Sequence, residues 1–305
     1  MPRLLHTGQV IVDLVIALDA LPPPGGDALA KSASFQVGGG FNVMAAAQRN
    51  GLGTLYLGRH GNGRFADLAR AAMIAEGVAL TLPATPGKDT GVCIALTDAS
   101  AERTFISCIG AEGGLSAEEL AQVAVLPDDW VYVSGYSLLQ PDKAGPLLDW
   151  VLSLAPSVRV VFDPGPLITA VALDLLEVLL PRVNLWSSNQ GEANSVAPNP
   201  CALSKRLSAS GQVVVREGAQ GCWISHPQSQ QHIPGFKVHA LDTNGAGDAH
   251  TGVMLAALSA GHCLAYAARR ANAAAALAVT RRGPATAPRA EEIDYFMGQT
   301  PLHSP

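Results

Sequence analysis

Strand-like and helix-like runs alternate along most of this 305-residue chain, which restricts it to βαβ units stacked around a largely parallel sheet. The alternation begins at 8–13 and continues through a helix from Asn42, a strand at 54–58 and a helix from about 65 to 76. Four further apolar runs, at 130–134, 158–162, 185–188 and 213–216, read as parallel core strands, each followed by a turn and a polar or helical stretch. In open α/β sheets ligands gather beyond the carboxyl ends of the strands. Asp13, Ser134, Asp163, Asn189 and Glu217 lie at or just past such ends, so a ligand site is expected among them.

Two segments, 14–36 and 91–109, break the alternation with β-prone runs joined by turns at 22–26 and 98–102. They predict a small separate sheet, a lid able to exclude water from a site below it. Ser116 with Glu119 three residues later forms a capping box that marks the return to the helical core. At 48% hydrophobic residues, the chain buries enough for one large domain with a sub-domain. Its formal charge of −5 is spread without basic runs, which argues against nucleic acid or an acidic membrane and for a small neutral or anionic metabolite. The five cysteines are scattered and include no Cys-x-x-Cys pair, so neither a disulfide framework nor a zinc site is suggested. Buried thiols in a reducing cytoplasm are expected. No apolar run approaches the roughly 18 residues of a membrane span, and no small-residue cleavage site follows the amino terminus.

The densest chemical signal is the stretch from Leu241 to Gly252, reading LDTNGAGDAHTG, which runs into an apolar helix-like segment. Gly245, Ala246 and Gly247 carry almost no side chain, so backbone N–H groups can converge there on an anion beside the positive end of the following helix. A carboxylate next to such a hole, Asp248, is suited to take the proton of an attacking hydroxyl. The same residues also fit a structural turn with a helix-capping Asp.

Other segments carry less. Val37-Gly38-Gly39-Gly40-Phe41-Asn42 leads into a helix, and Asn42 suits either an amide hydrogen bond to a substrate hydroxyl or a helix N-cap. Gly61-Asn-Gly63 nearly fits a dinucleotide fingerprint, but no acidic residue ends a strand about 20 residues later. No P-loop occurs, so any nucleotide is held differently. Asn189 and Glu192 offer an amide and a carboxylate suited to water-mediated Mg²⁺ and phosphate contacts, or a solvated helix start. The eight histidines show no ligand spacing, and only His250, two residues after Asp248, stands near a motif. Trp130, Trp150, Trp186 and Trp223 lie in or beside apolar runs and read as core.

Taken together these residues resemble the ribokinase-like (PfkB) family of carbohydrate and nucleoside kinases over nearly the whole chain. The resemblance rests on a Gly-Gly motif ending in Asn, here Gly38 to Asn42, and an Asp-Thr-x-Gly-Ala-Gly-Asp motif, here Asp242 to Asp248. It implies a Rossmann-like three-layer α/β/α core with a mostly parallel sheet, formed by 1–13, 37–90 and 110–305. It also implies a β lid from 14–36 and 91–109 that supports a homodimer in many members. By that likeness Asp248 is the catalytic base, Gly245, Ala246 and Gly247 are the anion hole, and Asp13, Gly38, Gly39 and Asn42 bind the acceptor. Asn189 and Glu192 match the family's Asn-x-x-Glu motif for Mg²⁺ and phosphate. Arg216, Gly218 and Gly221 resemble the segment along ATP, and Asn272 falls near the nucleotide base. Asp242 and Thr243, with the 278–283 loop that includes Ala278, Arg281 and Gly283, resemble a monovalent cation site, K⁺ in several members.

The departures bear on the acceptor. Val37 replaces the first motif glycine, Phe41 stands where a small residue is usual, His250 replaces a common Phe, and Leu167 follows Asp163-Pro-Gly-Pro166 in place of Arg. Phe41 suits either stacking on a sugar or base, or core filling. A sugar phosphate calls for an Arg or Lys cluster, and only Lys31 and Arg103 in the lid are candidates. The expectation is therefore an ATP-dependent kinase for a small neutral sugar. A nucleoside kinase, a non-catalytic sugar or nucleotide sensor, and an NAD-dependent oxidoreductase built on Gly61 to Ala66 are the rivals.

Overall fold

The computed structural model describes residues 1–99 and 103–299, Arg103 through its backbone alone. Its strands are β1 Leu4–His6, β2 Val10–Ala17, β3 Ser32–Gly39, β4 Thr54–Tyr56, β5 Ala79–Leu80, β6 Val92–Thr97 and β7 Arg103–Cys108. The remainder are β8 Trp130–Ser134, β9 Arg159–Asp163, β10 Leu185–Asn189, β11 Gln212–Arg216, β12 Gly221–His226 and β13 Ser229–Pro234. Nine of them form one sheet in the order β13-β12-β11-β10-β9-β8-β1-β4-β5, parallel from β11 to β5. The hairpin β12-β13 adds an antiparallel edge.

The central strands are short apolar runs because both of their faces are covered. Leu4, Trp130, Val161, Leu185 and Val214 point to one layer, against Val43 and Ala47 of helix Gly40–Arg49 and Met254 to Ala257 of helix Ala246–Ser259. Their chain neighbours Leu5, Val131, Phe162, Trp186, Val213 and Val215 point to the other, against Leu147 and Val151 of helix Pro141–Ser153 and Leu176 and Leu179 of helix Leu173–Leu179. The period-two alternation of a strand thus produces the three-layer α/β/α core.

Four strands form a second, smaller sheet in the order β3-β2-β6-β7. This corrects the expected first core strand at 8–13. The strand that enters the large sheet is Leu4–His6, buried on every residue between β4 and β8. Val10–Ala17 pairs instead with β3 and β6, and most of it is only half-buried, as suits a sheet with one open face. Asp13 therefore lies in the middle of a lid strand and not at the end of a core strand. The expected thiol burial holds only for Cys93 and Cys222, since Cys108 and Cys263 are exposed and Cys201 is intermediate. Trp130 and Trp186 are core, whereas Trp150 and Trp223 are half-buried, and Trp223 Nε1 donates to Glu217.

Trp186 is wholly buried, packs edge-on to Phe162 at 5.3 Å and donates from Nε1 to Ser188 Oγ at 2.7 Å. Trp186→Ala should lower unfolding free energy by about 3–5 kcal/mol in urea titration, the usual cost of emptying so large a site. A loss under about 1 kcal/mol would mean that the centre of the sheet is not packed as described.

Candidate active site

The carboxyl-end residues of β9 and β11 meet β10 and the first turns of helix Ala246–Ser259 through Arg216, Ser187 and Thr251, and Asp13 of the small sheet is close enough to act on Asp248. Gly245 adopts φ +72°, a left-handed conformation, and a Cβ there would collide with the Pro284 carbonyl. The turn is possible only with glycine, and it releases the first N–H groups of a 14-residue helix from any side-chain cap. An anion is the natural partner of such a terminus.

Asp248 lies in the first turn of this helix, and Asn42 Nδ2 donates to its Oδ2 at 2.9 Å. Asn42 is therefore not the helix N-cap, which is Gly39. Burial raises the Asp248 pKa to about 7, with Asp163 and Asp13 adding to the rise and Asn42 and Arg216 opposing it. Half-ionised near neutrality, it suits proton abstraction. Asp13 reaches the same field from the lid, and burial raises its pKa to about 6. Gly38 makes room for it, since a Cβ at that position would strike the Asp13 carboxylate.

Arg216, at the end of β11, joins the carboxylates. Its Nη2 lies 3.7 Å from Asp163 and 3.9 Å from Glu192, and its Nη1 donates to Ser187 Oγ at 2.7 Å and Thr251 Oγ1 at 3.2 Å. This half-buried guanidinium is structural support within the site, in addition to any contact with a nucleotide. Tyr132, whose phenol hydrogen-bonds Asp163, and Ser187 and Thr251 carry no site signal in the sequence. Asp163 had one visible signal, its position at a strand end; the others become legible only when three elements meet.

Asn189 and Glu192 form a reciprocal capping box, each side chain accepting the other's backbone N–H at 2.9 and 2.8 Å. Glu192 is nonetheless buried, and desolvation, followed by Asp163, raises its pKa. An oxygen-only set of this kind fits a water-held Mg²⁺, and among the described residues no cluster of three His, Cys, Asp or Glu forms a direct metal cage. Gly218 and Gly221 flank the turn from β11 to β12. Asn272 departs from expectation: it is 5% exposed, its Nδ2 donates to Ile233 O and Pro234 O, and its Oδ1 pairs with His250 Nε2. Both residues brace the strand behind the site, and burial keeps His250 neutral, its pKa lowered to about 3.

Asp242 ties the two halves of the expected cation loop, accepting from Asn244 N at 2.9 Å and Gly283 N at 3.0 Å. Thr243 follows it, its carbonyl accepting from Ala246 N, while the Ala278 carbonyl accepts from Arg281 N and Thr286 Oγ1. The Arg281 side chain turns outward to Glu292. Phe41 is 6% exposed and packs with Met44 and Tyr56, so it fills core. Lys31 pairs with Asp19, and the Arg103 side chain lies outside the described residues. The helix after Gly61–Gly63 is capped by Asp89, whose carboxylate takes the N–H groups of Phe65 and Ala66, leaving no open terminus for a pyrophosphate. No helix among the described residues is long and apolar enough to cross a membrane.

Residues 1–291 match the pfkB family carbohydrate kinase profile. An uncharacterized sugar kinase of Escherichia coli K12, YegV, is 34% identical over 94% of this chain and 91% of its own. An ATP-dependent ribose-1-phosphate kinase of Halopiger xanaduensis is 28% identical over 98% and 99%. Among solved structures, ribokinase of Giardia lamblia superposes with a TM-score of 0.83 at 23% identity, covering 97% of this chain and 100% of that one. A Burkholderia thailandensis nucleoside kinase in complex with inosine gives 0.81 at 20%, covering 98% and 97%. This chain belongs to the pfkB family of carbohydrate kinases, phosphotransferases that act on a hydroxyl group.

Proposed function

We propose that this protein transfers the γ-phosphoryl group of Mg-ATP to a hydroxyl of a small neutral sugar, with Asp248 as general base. The observation that carries this reading is the Asp248 carboxylate beside the uncapped Gly245–Gly247 helix terminus, its pKa raised to about 7. Mg-ATP, when bound, supplies the electrophilic phosphorus and the ADP leaving group. Asp248 takes the acceptor's O–H proton as the oxygen forms its bond to phosphorus and the bond to the ADP oxygen breaks. The N–H groups of Gly245, Ala246 and Gly247 stabilise the charge gathering on the transferred group. Asn42 orients the base through the 2.9 Å hydrogen bond, and Asp13 accepts hydrogen bonds from the acceptor's other hydroxyls. Asn189 and Glu192 are the residues that would hold a Mg²⁺ through water, and the ion would supply positive charge beside the phosphates.

A neutral acceptor is favoured by charge. Asp13, Asp163, Glu192 and Asp248 are opposed in this space by Arg216, which is already engaged with two of them. A sugar phosphate would add two negative charges to that field. A nucleoside is the second reading, favoured by Tyr136, whose ring is 41% exposed and whose phenol feels Cys93, Asp163 and Asp248. Such a ring offers a stacking face for a base. A sensor without catalysis has no need of a carboxylate held near half-ionisation beside an anion hole. The exposed Phe105 and Ile106 on β7 support a homodimer through the lid.

A K⁺ ion fits the Asp242, Thr243 and 278–283 loop on donor chemistry, since the Asp242 carboxylate and the Thr243 and Ala278 carbonyls are oxygen donors. Matched K⁺ and Na⁺ buffers should give higher activity in K⁺, and equal rates would remove the cation from the account.

Asp248→Asn should lower turnover by at least about 10²-fold while ATP binding by calorimetry persists. Unchanged turnover would remove Asp248 from the mechanism. The wild-type rate should rise with pH and level off above about 7, because the base works only when ionised. Stability should move the other way. The folded Asp248 keeps a proton between about pH 4 and 7 that the unfolded chain has lost, so its ionisation destabilises the fold above that window. Asp248→Asn should therefore raise the melting temperature at pH 8 and not at pH 4, with a gain in unfolding free energy at pH 8 of at most about 4 kcal/mol. A lower melting temperature at pH 8 would contradict the raised pKa.

A further inference from the structure

The chain passes between the large and small sheets four times: at 7–9 into β2, at 39–40 out of β3, at 89–91 into β6, and at 109–112 out of β7. Three of these passages meet at a pair of buried charged side chains that the reaction does not use, and the second is tied to the first through the backbone. Lys143, in the first turn of helix Pro141–Ser153, is wholly buried, and its Nζ donates to the carbonyls of Gly8 at 3.3 Å and Glu112 at 3.4 Å. That ties the first passage to the fourth. Glu112 is also wholly buried, and its two carboxylate oxygens accept from Gly91 N and Gly110 N, each at 2.8 Å. That ties the third passage to the fourth. The second passage joins the first directly, Gly40 N donating to Gln9 O at 2.7 Å.

Two buried ionisable groups are expensive unless each compensates the other. Burial lowers the Lys143 pKa to about 7, and the charge of Glu112 opposes that fall. The pair therefore has to be retained for some return other than packing. Its position supplies one: Gly8 lies five residues before Asp13, and Gly40 lies two before Asn42.

We propose that Lys143 and Glu112 are positioning residues, a buried charge-compensated node that fixes the four passages and so sets where Asp13 on the lid lies relative to Asn42 and Asp248 on the core. The consequence for the acceptor site rests on the kinase reading above; the consequence for the lid does not. Removing one charge leaves the other buried without its complement, and the passages loosen while the core sheet, held by its own two helical layers, does not.

Hydrogen exchange by mass spectrometry on Lys143→Met tests this directly. Amides of β2, β6 and β7 should exchange at least about 10-fold faster than in wild type, with β9, β10 and β11 unchanged. Lys143→Gln, which keeps a donor for the two carbonyls, serves as a second variant if the first does not fold. In the kinase assay, KM for the free sugar that turns over should rise by at least about 10-fold with kcat nearly kept, the signature of lost positioning and not of a lost catalytic group. Faster exchange spread equally over both sheets, or no change in β2, β6 and β7, overturns the proposal. Regional exchange in a protein that phosphorylates no acceptor would keep the node and discard the kinase reading.

Discussion

One guanidinium makes this site tenable. Asp163, Glu192 and Asp248 come from three separate elements, and each has its pKa raised by burial. Without Arg216 between the first two, their ionised forms would face one another across a poorly solvated gap. Because Arg216 also hydrogen-bonds Ser187 on β10 and Thr251 on helix Ala246–Ser259, it fixes the distance between the sheet and the helix that follows the Gly245 turn. The geometry of Gly245 to Asp248 thus depends on a side chain two strands away from the motif.

The remaining negative field is strong enough to shape chemistry. It adds to the burial that raises the Asp248 pKa to about 7, and on the proposed reading a divalent cation would offset it. Asp13 approaches from a sheet with a different fold register, and the glycine at position 38 is what allows a carboxylate to lie flat against the neighbouring strand. On the proposed reading the acceptor would be held across two sheets, by Asp13 on one and by Asn42 and Asp248 on helices packed against the other.

The core strands and the glycine turn at the start of helix Ala246–Ser259 are legible in the sequence because their signals are local. Runs such as 185–188 and 213–216 need burial on two faces, and Gly245-Ala246-Gly247-Asp248 carries its conformation and its charge in four adjacent residues. What escaped was non-local. A β-prone run at 10–17 is compatible with either sheet, and only the burial of Leu4–His6 decides which strand enters the core. Asn272 lies where the resemblance suggests a nucleotide contact, yet its amide is consumed by Ile233, Pro234 and His250, partners 39, 38 and 22 residues away. Phe41 looked equally suited to a ligand face and to core, and its packing against Met44 and Tyr56 answers that.

The central claim is that a carboxylate-rich pocket hands a neutral acceptor's proton to Asp248. ADP release from Mg-ATP across a panel of free sugars, nucleosides and sugar phosphates tests it most directly. Turnover on a free sugar, with sugar phosphates inert, is the predicted result. Turnover confined to sugar phosphates would contradict the charge argument at its root.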